Sequence, residues 1–178
     1  MSQHLKPLIL PYNGIMPTIH PDAFIAPGAV VIGDVHIGAE TGVWFGCVIR
    51  GDVNSIRIGA RTNIQDGTII HVTRQTGPTS IGSGVTIGHQ VLLHACTLED
   101  DCFVGMGATI IDFAHVESGG FVAAGAVVTP KKRILKGQMW GGNPAKYMRD
   151  LTPEETAFIP ISAANYVKHV WEYKELIS

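Results

Sequence analysis

The chain has 178 residues, 46% of them hydrophobic, and a formal net charge of −2. With 13 Lys and Arg against 15 Asp and Glu and no basic run, it lacks the electrostatic footprint of a nucleic-acid binder. No stretch approaches the roughly 20 apolar residues of a membrane span, and Met1 to Lys6 lack the apolar centre of a signal peptide, so a cytoplasmic setting is expected.

The first predicted element is a repeat that begins at Ile25. Aliphatic residues recur at Ile25, Val31, Ile37, Val43 and Ile49, and the series runs on through Ile58, Ile64, Ile70, Ile81, Ile87, Leu93 and Leu98 to Val128. Four places after these positions stands a small or β-branched residue, such as Ala29, Thr41, Cys47, Thr62 or Thr68. A period of six fits neither a helix at 3.6 nor an alternating strand at 2. It fits the hexapeptide repeat of a parallel β-helix, in which three repeats make one triangular coil and stacked aliphatic residues form the core. Three departures from strict sixes are expected. Ser55 to Arg57 read as extra, Thr76 to Ser80 read as an external loop with turn composition, and the repeat at Leu93 is one residue short. The 21 glycines suit the many corners.

The tail changes character, dividing the chain into a β-helix domain over 1–150 and a helical segment over 151–178 that packs on it. Thr152-Pro153-Glu154-Glu155 reads as a helix start, with Thr as cap, Pro at the first turn and Glu three after the cap. Pro160 is expected to interrupt this helix and Ser162 to cap a second one. Ala163, Tyr166, Val167, Val170 and Trp171 then form an apolar stripe at helical spacing. The cysteines Cys47, Cys96 and Cys102 lack CxxC spacing, and two of them fall at inward small-residue positions, so buried free thiols are expected.

Repeat phase also sorts the polar residues. His71 follows inward Ile70 and His94 follows inward Leu93, so both point outward on one face, one coil apart. Strands about 4.8 Å apart let two imidazoles reach one ion through metal–nitrogen bonds of about 2.0–2.1 Å. Arg50 occupies the same column one coil earlier, with Asp52 close by. His89 falls on another face, with Asp66 in the same phase one coil earlier and Gln65 as outward neighbour. Closing a three-histidine site therefore requires one face of one subunit to press against the other face of a second, a heterologous contact that closes as a trimer. His4, His20, His36, His115 and His169 are expected to be merely solvated. A salt-bridged or stacked histidine column is the alternative that spacing leaves open.

The ordered set Arg50-Gly51-Asp52, Asn63-Ile64-Gln65-Asp66, His71, His89 and His94 resembles the signature of γ-class carbonic anhydrases, over about residues 20 to 150. Gly142-Asn143-Pro144-Ala145-Lys146 resembles the closing segment of many hexapeptide-repeat proteins. The resemblance implies an all-β fold, a left-handed parallel β-helix of hexapeptide repeats with a C-terminal α-helix, and a homotrimer. It also implies zinc, alternatively iron or cobalt, held by His71 and His94 of one subunit and His89 of its neighbour. Such a site lowers the pKa of bound water towards about 7, and the hydroxide formed attacks carbon dioxide to give bicarbonate. Gln65 would orient hydroxide or substrate, Tyr166 would reach the pocket from the helix, and Arg50 with Asp66 would pair across the interface with Asp52 in support. The best-known active members carry glutamates just after the Arg-Gly-Asp segment and in an acidic loop after the first histidine. Here those places read Val53 and Val72-Thr73-Arg74-Gln75, as in the short, loop-poor branch.

Two other readings compete with the hydratase. A hexapeptide-repeat acyl- or acetyltransferase would use one histidine as base and a groove for acyl-CoA, without three metal ligands. A metal-stabilised scaffold of the same family would bind the ion without efficient turnover.

Overall fold

The structure, a computed structural model, describes residues 6–177. Its body is the expected parallel β-helix, with about seven turns. Each turn contributes a short strand to each of three ladders. The first ladder aligns Ile25, Val43, Ile64, Ile87, Val104 and Val122. The second aligns Val31, Ile49, Ile70, Leu93, Ile110 and Val128. The third aligns Ile37, Ile58, Ile81, Leu98, Val116 and Ile134. From Val31 to Ile134 these residues are buried and belong to one cluster. Each contributes on the order of 1.5–3 kcal/mol by leaving water.

The corners use a second set of residues. Buried Thr41, Thr62 and Thr68 donate their hydroxyls to the carbonyls of Gly59, Gly82 and Gly88 in the next coil, at 2.7, 2.8 and 3.0 Å. They accept in return from the amides of Thr62, Val85 and Val91. A hydroxyl that gives and takes satisfies two backbone groups that the bend frees from the ladders. Each corner also requires a left-handed residue, and glycine does not hold all of them: Glu40, Arg61, Gln90 and Asp101 adopt φ of 55–58° beside Gly46, Gly67 and Gly107.

Both expected insertions shift. Ile56 and Arg57 pair with Thr79 and Ser80, so the surplus falls within Asp52 to Ser55, which stand opposite Asp34 alone, rather than at Ser55 to Arg57. The strand Val48–Ile58 bows outward here, opposite a register shift between Gly33 and Val35. The second surplus is a tight turn closed by Thr73 and Gly77, and Thr79–Ile81 is already strand. The short repeat after Leu93 turns through Ala95 at φ 49°.

The tail is a single helix, α1 (Pro153–Leu176), where a break at Pro160 was expected. Proline removes one N–H bond and crowds the preceding turn. Here buried Ile159 and Ala163 fasten the helix to the solenoid on either side of the exposed proline. Ser162 does not cap a second helix; its Oγ lies 3.1 Å from Thr86 Oγ1. The capping box at the start forms as expected, Thr152 accepting from the Glu155 amide. The helix lies on the first ladder, where Val170, Tyr166 and Tyr173 pack with Phe24 and Trp44. Tyr173 takes the place expected of Trp171, which stays exposed and reaches Glu40. The three cysteines are buried and free. Burial pushes the thiol of Cys47 up to about 11 and those of Cys96 and Cys102 up to about 12.

Candidate metal centre

The second ladder delivers His71 and His94 side by side. Strands Ile69–His71 and Leu92–His94 pair in register, residue for residue, and the imidazole centroids are 5.2 Å apart at an interplanar angle of 50°. Because Ile70 and Leu93 point inward, the next residue must point out. The positions of both rings follow from the buried ladder.

A carboxylate stands behind each ring. His71 Nε2 donates to Asp52 Oδ1 at 3.0 Å, and Arg50 pairs with the other oxygen of Asp52. Partial burial would raise the Asp52 carboxyl, but the bonds from His71 and Arg50 outweigh it and hold the group below its ordinary value. His94 Nδ1 lies 3.3 Å from both oxygens of Asp112. The Thr73 hydroxyl donates to Asp112 Oδ1 at 2.6 Å. That bond, against partial burial and with help from His94, holds the Asp112 carboxyl below its ordinary value. On the first ladder, His89 Nδ1 sits 2.8 Å from Asp66 Oδ2. Hydrogen bonding at one ring nitrogen turns the other towards a ligand, the usual arrangement around metal-binding histidines. The donor set therefore fits a borderline divalent ion such as zinc, iron(II) or cobalt(II).

One chain does not gather the set. Among the described residues, no group of three or more His, Cys, Asp or Glu side chains is placed to hold a metal ion. His71 and His94 are together, while His89 follows the strand Thr86–Ile87 of the other sheet. Arg50 and Asp66, expected to pair between subunits, each hold a partner within the chain, Asp52 and His89.

Gln65 is 6% exposed and sits at the end of a buried amide–hydroxyl chain. Asn63 Nδ2 donates to Thr86 Oγ1 at 3.0 Å and faces the Val85 carbonyl at 3.4 Å. A main-chain carbonyl only accepts, so Asn63 must present its oxygen to Gln65, which donates from Nε2 at 3.0 Å. Gln65 Oε1 is left as the acceptor. Gln65 and His89 line a common cavity of about 380 Å³ with Phe103, Met106 and Phe121. Tyr166 stands edge-on to Trp44; burial, then the charge of Asp66, raises its hydroxyl. Of the histidines expected to be solvated, His20, His36 and His169 are exposed, and His4 lies outside the described residues. His115 departs from the expectation: it is half-buried, with Nε2 2.6 Å from Glu99 Oε1.

Asp112 was not foreseen in the sequence. The signal available was its phase, two residues after inward Ile110 and one coil beyond His94. The tight turn Thr73–Gly77 follows the strand of His71, and Asn54 fastens it by donating to the Thr73 carbonyl.

Comparison with known proteins agrees with this architecture. The bacterial transferase hexapeptide repeat (six repeats) matches residues 8–51. Gamma carbonic anhydrase 1, mitochondrial, of Arabidopsis thaliana is 54% identical over 155 residues, covering 84% of this chain and 56% of the relative. The chain thus spans little more than half of that protein's length. Carbonic anhydrase of Geobacillus kaustophilus is 42% identical, covering 95% of this chain and 92% of the relative. A crystal structure of a hexapeptide transferase family protein from Anaplasma phagocytophilum superposes with a TM-score of 0.90 at 45% identity, covering 93% and 98% of the two chains. No helix among the described residues is long and apolar enough to cross a membrane. With 42% and 45% identity extending over nearly the whole of the Geobacillus and Anaplasma chains, the chain belongs to the γ-carbonic-anhydrase-like family of hexapeptide-repeat proteins.

Proposed function

We propose that the protein is a metal-dependent carbonate dehydratase, interconverting carbon dioxide and bicarbonate at a site shared between subunits of a homotrimer. The observation that carries this reading is the in-register pair of His71 and His94, each ring backed by a carboxylate. His89 of a neighbouring copy would complete the ligand set. Zinc, iron(II) or cobalt(II) bound there would supply the Lewis acidity that generates a nucleophile from water near neutral pH.

The outward residues of the ladders support the assembly. Beside the histidine column, Leu8, Val30, Val48, Ile69 and Leu92 align into an apolar strip, with Leu8, Ile69 and Leu92 exposed. The matching column of the third ladder is polar throughout, with His36, Arg57, Ser80, Thr97, His115 and Arg133. An apolar strip on one face and a charged column on another suit a prism that meets its partners on two faces and water on the third. The remaining residues then have defined work. Gln65 Oε1 would accept a hydrogen bond donated by a water or hydroxyl beside the ligands. Asp52, Asp66 and Asp112 hold the imidazoles, and the walls from Phe103, Met106 and Phe121 keep the cavity apolar. Tyr166, packed edge-on to Trp44, would reach the pocket from the helix, and Arg50 would stand at the interface.

The test is stopped-flow hydration of carbon dioxide by the metal-loaded trimer, with the His89→Ala variant alongside. The expected result is hydration well above the buffer rate, lost in the variant. A wild-type rate equal to buffer, with metal bound, would leave the scaffold reading. Acetyl-CoA binding without metal would favour the transferase reading.

A further inference from the structure

Each of the three carboxylates stands one coil from its histidine, Asp52 and Asp66 on the coil before and Asp112 on the coil after. Asp112 lies one coil beyond His94, where the column Arg50, His71, His94 has ended. Ile111 follows inward Ile110, and Asp112 is the next residue, before the chain turns through Phe113 at φ 63°. The turn is fixed by the Phe113 amide, which donates to the Ala95 carbonyl at 2.6 Å. Asp112 is thereby brought back over the His94 ring, 3.3 Å from Nδ1. Its second partner comes from the opposite side. Thr73, two residues after His71, donates its hydroxyl to Asp112 Oδ1 at 2.6 Å across 39 residues of sequence. The coil of His71 thus reaches past the coil of His94 to the coil of Asp112, and His94 is bracketed between them.

Resting on the three-histidine reading above, we propose that Asp112, oriented by Thr73, is a positioning residue for the metal site. An acidic oxygen at Nδ1 requires the proton there, which fixes one tautomer of His94 and leaves Nε2 as the nitrogen with a lone pair. The Thr73 hydroxyl occupies one carboxylate oxygen and sets the direction of the other. Since Thr73 belongs to the turn that follows His71, the placement of one ligand is tied to the orientation of the other. Glutamates are absent from this turn, and its polar function is to aim a neighbour's carboxylate. Partners of this kind are worth 10–100-fold in metal affinity or activity.

The experiment compares wild type with Asp112→Asn, Thr73→Val and Thr73→Ser as assembled protein. Zinc affinity is read by competition with a chromophoric chelator. The His94 tautomer is read in the metal-free protein from long-range ¹⁵N–¹H correlations. Expected are affinity losses of about 10–100-fold for Asp112→Asn, a smaller loss for Thr73→Val, and rescue by Thr73→Ser. In the metal-free protein, His94 should change from a single Nδ1–H form to a mixture in Asp112→Asn. An unchanged tautomer in that variant overturns the proposal, whether or not the protein binds zinc. So does unchanged affinity in both Asp112→Asn and Thr73→Val. Wild-type protein that binds no zinc but loses its His94 tautomer in Asp112→Asn overturns the three-histidine reading instead and upholds the positioning contact.

Discussion

Replacing Thr86 with Val tests the buried chain that aims Gln65. Thr86 Oγ1 accepts from Asn63 Nδ2 at 3.0 Å and meets Ser162 Oγ at 3.1 Å, and all three residues are buried. Valine has nearly the same shape, so the perturbation removes two hydrogen bonds without opening a cavity. Each bond contributes about 1 kcal/mol net, and the Ser162 hydroxyl left without this partner costs about 1–3 kcal/mol more. The additional buried methyl returns about 0.8 kcal/mol. A destabilisation of about 2–4 kcal/mol is expected, against about 1 kcal/mol for Thr86→Ser, which keeps the hydroxyl and loses the methyl. Equilibrium guanidinium denaturation followed by the helix signal measures both, with unchanged denaturant dependence. The side-chain amide resonances of Asn63 and Gln65 should broaden or shift in Thr86→Val alone. A Thr86→Val protein within about 0.5 kcal/mol of wild type, or more stable than Thr86→Ser, would refute the reasoning.

Two further outcomes follow from close contacts. A Cβ at Gly51 would lie 2.6 Å from the Asp34 carbonyl oxygen and 3.2 Å from Val35 Cγ2, so Gly51→Ala should cost about 1–3 kcal/mol. It should also draw Asp52 away from His71, measured as weaker zinc binding; unchanged stability and affinity together would contradict this. Hydrogen bonds from Arg149 and from the Thr152 amide hold Glu155 at about 2, below its ordinary 4.5. A carboxyl more acidic in the folded chain stabilises it fully above the unfolded value and loses that contribution as pH falls from 4.5 towards 2. The gap in denaturation midpoint between wild type and Glu155→Gln should therefore hold at neutral pH and close below about pH 4.5. A gap that does not change with pH would reject the assignment.

The ladders were legible because inward aliphatic residues recur with fixed phase, and phase decides which side chains face out. That is why Ile70 with His71, and Leu93 with His94, could be aligned from spacing. What spacing misses is where surplus residues leave the coil. Their location depends on backbone contacts such as Gly51 against Asp34, and the surplus moved from Ser55–Arg57 to within Asp52–Ser55. The continuous helix through Pro160 was missed for a related reason. A local helix breaker was outweighed by Ile159 and Ala163 packing on the solenoid, and that contact is invisible in the tail alone. Asp112 escaped because its partners lie on other coils, joined by a side chain 39 residues away.

The neighbouring placement of His71 and His94 has a consequence for how this scaffold can change. The two residues are separated by the turn Thr73–Gly77 and by two corners, yet their rings stand one strand apart. The distance between them is metered by backbone pairing, and chain length does not enter it. Segments extruded at a corner can be lengthened, shortened or exchanged while the spacing of the imidazoles stays the same. A single residue gained or lost inside a strand would instead turn one ring into the core. The scaffold therefore keeps its donor geometry insulated from its loops, and new loop chemistry can be tried around a fixed pair of nitrogens.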